Sequence, residues 1–275
     1  MVHDQRSALS TYMSSLLSAG RVIFNGGEAE KALGVGRGAL LDAAERLQRR
    51  HHLLNPRQDF YVIVPPQFAS WGAPPPNWYI DALMRHEGQP YYVGLLKAAE
   101  LHGATHQAVM EFQVVTGKRL PKIRAGRNLV VFYYRKDMVA VAAGIEERKT
   151  DTGTMKLSGP ALTALDLLRY PRAAGGLDNI ATVLTDLGEK IDGEQLAALS
   201  AAAERPVVQR LGYLLDKLGH IARATPMYAA LAVRGPLSWT ELDRKETRDP
   251  DFAPPEQERD PRWHVIVRRP PQVDE

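Results

Sequence analysis

The chain contains no cysteine in 275 residues. That absence excludes a disulfide framework and a thiolate metal or redox centre, and it fits a reducing compartment. Long apolar runs are missing as well. None approaches the roughly 20 residues needed to span a bilayer, and the first residues lack the apolar segment of a secretion signal. A cytoplasmic protein with no membrane attachment is expected. An excess of one charge is also lacking, because 35 Lys and Arg face 32 Asp and Glu, a net of +3. Only the distribution of charge can therefore argue for a nucleic-acid partner.

The chain is long for one ordinary domain, and its 44% hydrophobic content suffices for one moderate core and a small one. The expected fold class is α/β (α+β). An N-terminal winged helix-turn-helix over 1–65 precedes a larger mixed domain over 66–275, with a small β-sheet and a helical second half. In the first part, Leu9, Tyr12, Met13, Leu16 and Leu17 share one helical face, and Arg21 to Phe24 is a short strand. Asn25 followed by Glu28 has the spacing of a cap for the next helix. Gly34 permits the sharp turn into a second helix from about Gly36 to Arg50.

On that second helix Leu40, Ala44, Leu47 and His51 form the inner stripe. Gly38, Ala39, Asp42, Glu45, Arg46 and Arg49 then point outward. The first turn carries almost no bulk except Arg37, so its backbone can approach a phosphate or a base edge. Asp42 with Arg46 and Glu45 with Arg49 also have the i,i+4 spacing of a merely solvated face. A hairpin follows: His52 to Leu54 and Phe60 to Val64 enclose turn residues, and Arg57 is placed at the wing tip to meet DNA. Residues 1–65 hold eight Lys and Arg against six Asp and Glu, so tight binding needs a second copy or further contacts.

Prolines 65, 66, 74, 75 and 76 mark the join, onto which Trp71 and Trp78 are expected to pack. Beyond it the pattern gives a helix within Tyr91 to Leu101 and strands at Met110 to Val115, Leu129 to Tyr134 and Met138 to Ala142. Helices are expected at 160–168, 177–191, 193–203 and 206–218, and a late strand at Trp263 to Val267 is expected to strap the tail onto the sheet.

Several short segments in this part resemble the AbiEi antitoxin family. They are Tyr91-Tyr92-Val93-Gly94-Leu95-Leu96, Glu100-Leu101-His102-Gly103, Phe112-Gln113-Val114-Val115-Thr116, Asp166-Leu167-Leu168-Arg169-Tyr170-Pro171 and Arg210-Leu211-Gly212-Tyr213-Leu214-Leu215. The resemblance covers roughly residues 7 to 220 and includes the winged helix. It implies a bacterial type IV antitoxin that represses its own operon by binding inverted repeats in double-stranded DNA. It further implies a nucleotidyltransferase-like toxin, counteracted without a stable complex, and no catalysis or cofactor. By position, Arg37, Arg46, Arg49 and Arg57 carry over as DNA contacts. A Ser is common where Gly36 stands, so this chain lacks that N-cap hydroxyl.

Independently of the resemblance, Lys118, Arg119, Lys122, Arg124, Arg127, Arg135 and Lys136 occur with no acidic residue between Gly117 and Lys136. The first five are candidates for a second nucleic-acid surface, against the alternative of a solvated loop. Two other function classes remain open. Glu147-Arg148-Lys149 imitates half of a metal-dependent nuclease site, with Glu111 and Asp137 as the only nearby substitutes for its missing Asp. A winged helix can also serve as an adaptor for protein alone. His102 and His106 have a metal-helix spacing, but no third ligand accompanies them, and His102 is expected to be a packed or capping residue.

Overall fold

The computed structural model describes residues 8–105, 108–243 and 254–273. The protein is mixed α/β and divides into two compact units. The first comprises residues 1–91, 110–135 and 147–156, and the second comprises 92–109, 136–146 and 157–275.

The first unit begins with α1 (Ala8–Ser18), β1 (Ile23–Asn25), α2 (Gly26–Leu33), α3 (Arg37–Arg49), β2 (Leu53–Arg57) and β3 (Phe60–Ile63). With its sheet in the order β1-β3-β2, this element order is compatible with the expected winged helix-turn-helix. The expected cap is present, since the Asn25 side chain accepts from the Glu28 N–H at 2.8 Å. Gly34 ends α2 in the left-handed conformation, at φ 64°. Leu9, Met13 and Leu16 of α1 meet Leu40, Ala44 and Leu47 of α3 in one core with Phe24 and Tyr61, whose rings stack at 5.1 Å. His51 departs from expectation: α3 ends before it, and the residue is exposed at φ 57°.

The chain continues through α4 (Ile80–His86), β4 (Tyr91–Val93), α5 (Leu95–Leu101), β5 (Glu111–Thr116), β6 (Ile123–Ala125), β7 (Asn128–Tyr134), β8 (Ile145–Thr150) and β9 (Gly153–Ser158). Strand β7 pairs in parallel with β5 from Glu111↔Leu129 to Thr116↔Tyr134, and antiparallel with β6. The periodic run at Tyr91 to Leu101 is thus a strand followed by a helix. Met138 to Ala142 is not a strand: Val139–Gly144 forms a 3-10 helix, started by Asp137, whose carboxylate accepts from the Ala140 N–H. With Val139, Ala140, Ala142 and Ala143 exposed, the apolar run has no face to bury as a strand.

The second unit is organised around α6 (Pro160–Arg169), which is buried from Ala161 through Leu168. Helices α5, α7 (Leu177–Glu189), α8 (Gly193–Ser200) and α9 (Arg205–Lys217) pack on α6, and α10 (Ile221–Ala232) packs on α8 and α9. The Ala-rich stretch is thus part of an intramolecular bundle. The tail forms a three-stranded sheet from β10 (Thr240–Glu241), β11 (Glu258–Asp260) and β12 (Val265–Val267), in the order β10-β12-β11. Trp263 anchors it. Fully buried, it lies so close to Gly212 that a Cβ there would meet its ring at 2.3 Å, and its indole N–H donates to Asp216. Gln209 and Arg210 of α9 donate to the carbonyls of Trp263 and Glu241.

Candidate nucleic-acid interface

The outer face of α3 carries the first set of expected contacts. Arg37 opens the helix and is 55% exposed in its side chain. Its guanidinium lies 3.9 Å from Asp59 and 4.0 Å from Glu30, both at the outer limit of an ion pair. Asp59 occupies the wing turn at φ 60° and accepts the Gly26 N–H at 3.1 Å, which draws the wing tip, the start of α2 and the start of α3 together. Gly38 and Ala39 are exposed, and a Cβ added at Gly38 would meet nothing within 4 Å. The backbone of this turn is therefore open to a large partner.

Farther along α3, Arg49 is bound to Glu45 at 2.6 Å, the i,i+4 pair expected of a solvated face. Asp42 and Arg46 behave differently. Both are exposed and neither has an ion-pair partner among the described residues. Leu41 was not singled out from the sequence, yet it is 47% exposed beside Asp42.

Arg57 is not a free wing tip. Its Nε donates to Glu87 at 2.7 Å, its Nη2 donates to the Pro121 carbonyl at 2.7 Å, and its guanidinium lies 5.6 Å from the centre of the Phe132 ring. Only 18% of the side chain is exposed. The tip consists of Gln58 and Asp59, with Arg57 one step inside it on β2. No sequence signal pairs Arg57 with Glu87, 30 residues away.

The Pro121 carbonyl belongs to the basic run, so Arg57 fastens the wing beside the second candidate surface. In that run Lys118, Arg119, Lys122, Arg124 and Arg127 are exposed. Arg124 lies on β6, pointing outward between the buried Ile123 and Ala125, and Lys122 directly precedes the strand. Arg135, later in the same run, stands apart from these five. It is 5% exposed, and its N–H closes onto the Thr116 carbonyl as the chain leaves β7. Two aromatic residues accompany the patch. Arg119 sits over the Tyr134 ring at 5.4 Å and Arg127 over the Trp71 ring at 5.8 Å. Trp71 does not pack the join as expected, being 52% exposed, whereas Trp78 packs edge-on against Phe68 and donates to Asp151.

The other candidate chemistries are not assembled. Glu147, Arg148 and Lys149 are all exposed on β8, and Glu111 is engaged by the Tyr133 hydroxyl. Among the described residues, no three His, Cys, Asp or Glu side chains approach closely enough to hold a metal ion. The His102 ring donates from Nε2 to the Ser158 carbonyl at 2.8 Å, a packing role, and His106 lies outside the described residues. Among the described residues, no helix is long and apolar enough to cross a membrane.

The short segments that carry the family resemblance are structural. Tyr92 donates to Asp166 at 2.6 Å with both side chains buried, linking two of the segments, and Gly212 of another receives Trp263. Residues 92–217 match the family model of the AbiEi antitoxin C-terminal domain. No curated protein matches the chain. Among solved structures, the chain resembles the RV2827C protein from Mycobacterium tuberculosis with a TM-score of 0.66 and 21% sequence identity, over 94% of this chain and 90% of that one. At that identity the likeness concerns the fold. What residues 92–217 share with the AbiEi antitoxins is thus their C-terminal domain.

Proposed function

We propose that the chain is a DNA-binding autorepressor and the antitoxin of a type IV toxin-antitoxin pair, without catalysis of its own. Helix α3 reads inverted repeats in the promoter through Arg37 and Arg46, while Gly38 and Ala39 let the backbone approach the groove. Asp42 tunes base choice from the same face. Arg49, held by Glu45, is a lesser contact, and Lys118, Arg119, Lys122, Arg124 and Arg127 add phosphate contacts from beside the wing. Two copies meet on a palindromic site. The toxin it counteracts is nucleotidyltransferase-like.

The observation that carries this reading is the open first turn of α3, with Arg37 exposed above an unobstructed backbone and Arg46 exposed with no ion-pair partner among the described residues. The C-terminal family match supports the antitoxin role. A promoter fragment from the chain's own operon provides the test. Footprints over inverted repeats, together with rescue of growth when the neighbouring reading frame is co-expressed, are expected. Rescue without any footprint would retain the antitoxin and remove the repressor.

A further inference from the structure

Over residues 8–65, a single large apolar side chain stands out in solvent. Leu41 of α3 is 47% exposed, whereas every other Leu, Ile, Val, Met, Phe and Tyr of that stretch is at least partly buried. Its place follows from the helix. Leu40, Ala44 and Leu47 fix the rotation of α3 against the core, and the residue after Leu40 emerges about 100° farther round the helix. Leu41 therefore lies one turn beyond Arg37, on the strip where residues four apart are surface neighbours. On its other side Gly38 leaves the surface open, since a Cβ there would meet nothing within 4 Å.

A helix face that meets only water is expected to carry polar or charged groups, as α3 does one turn later, where Glu45 and Arg49 pair at 2.6 Å. Leucine offers neither charge nor hydrogen bond, so a phosphate gains nothing from it. The major groove displays one methyl group, on C5 of thymine, and contact with an apolar side chain is how that methyl is read. Four residues of helix advance about 6 Å, which is one to two base steps of about 3.4 Å. From its place beside Arg37, Leu41 reaches a base pair one or two steps from the one that Arg37 contacts.

We infer that Leu41 is a specificity-determining residue of α3, packing on the methyl group of one thymine in each half-site. The inference rests on the reading of operator DNA by α3 and adds a base identity to it. Excluding water from the leucine and the methyl together favours thymine at that position, and burial of one methyl corresponds to about a fourfold gain in affinity.

The test uses the full chain and its own promoter duplex, with each thymine of the repeats replaced in turn by deoxyuridine. That change deletes the methyl and keeps the base pairing. One thymine per half-site should prove methyl-sensitive, its replacement weakening wild-type binding about fourfold. Leu41→Ala should bind the unmodified and substituted duplexes equally at that position. Its melting temperature should stay within about 2 °C of wild type, because the side chain lies outside the core. Leu41→Met restores apolar bulk and should recover the methyl sensitivity. If no thymine is methyl-sensitive, or if Leu41→Ala keeps the wild-type sensitivity, the inference is overturned, and a weakened operator affinity in Arg37→Ala would show that the operator reading survives it. Wild-type operator affinity in both Arg37→Ala and Arg46→Ala would remove the operator reading and this inference with it.

Discussion

Arg57→Ala separates two roles for the wing arginine. If the guanidinium were a solvent-facing DNA contact, its removal would change stability by less than about 0.5 kcal/mol. The structure instead gives it two 2.7 Å charge-assisted hydrogen bonds, one to a carboxylate that is itself only 15% exposed. Truncation would leave Glu87 half-enclosed without its partner and the Pro121 carbonyl without a donor. Breaking a fully buried pair in this way costs about 3–5 kcal/mol, and each charged hydrogen bond contributes about 1.5–3 kcal/mol. The residual solvent contact of both groups reduces this to an expected loss of about 2–4 kcal/mol. Urea unfolding followed by tryptophan fluorescence measures the loss. Adding Glu87→Gln should recover part of it, because the second change removes the unpaired charge. In DNA titrations the salt slope should stay constant, since no phosphate contact has been deleted. A stability change below 0.5 kcal/mol accompanied by a slope reduced by about one would refute the fastening role and restore Arg57 as a phosphate contact.

Other consequences follow from single contacts. Gly212→Ala should destabilise the second unit by about 1–3 kcal/mol, measured by thermal unfolding, because its methyl group would overlap the buried Trp263 ring. Tyr79→Phe should leave stability unchanged or raise it by about 1 kcal/mol; the phenol is buried, its hydroxyl has no hydrogen-bond partner among the described residues, and burial pushes its pKa far up. A loss above 1 kcal/mol would reveal an ordered partner for that hydroxyl. The hydrogen bond from Arg21 holds the Glu28 carboxyl below its ordinary pKa. The linked stability is therefore present above the unfolded carboxylate value, near 4.3, and is lost as pH falls through the lower folded value. The difference in urea midpoint between wild type and Glu28→Gln should accordingly shrink below about pH 4; a difference constant with pH would dismiss the pair.

The local elements were legible where one physical signal determined them. The Asn25 cap, the Gly34 turn and the buried Leu40, Ala44 and Leu47 stripe are short-range and were readable from spacing. The run at Val139 to Gly144 misleads because apolar composition does not reveal whether a face will be covered. Helix α10 was missed because Pro226 lies inside it, and a proline at that position argues against a helix. The candidate interface was only half readable. Outward residues of α3 follow from helical period, but the removal of Arg57 by Glu87 and the burial of Arg135 depend on pairings across long separations. Trp71 gave no signal of an outward ring, since its position is fixed by Gly126, 55 residues later. The short segments with the strongest family likeness proved to be core contacts such as Tyr92 with Asp166, which identify the fold without marking a binding surface.

The most direct test of the account is operator affinity of Arg37→Ala and Arg46→Ala at one fixed salt concentration, with a scrambled duplex as reference. Loss of a bidentate base contact by Arg37→Ala should weaken operator binding by about 1–3 kcal/mol, with a smaller loss for Arg46→Ala, and should lower the ratio of operator to scrambled affinity. Wild-type affinity and an unchanged ratio in both variants would contradict the assignment of α3 as the reading helix.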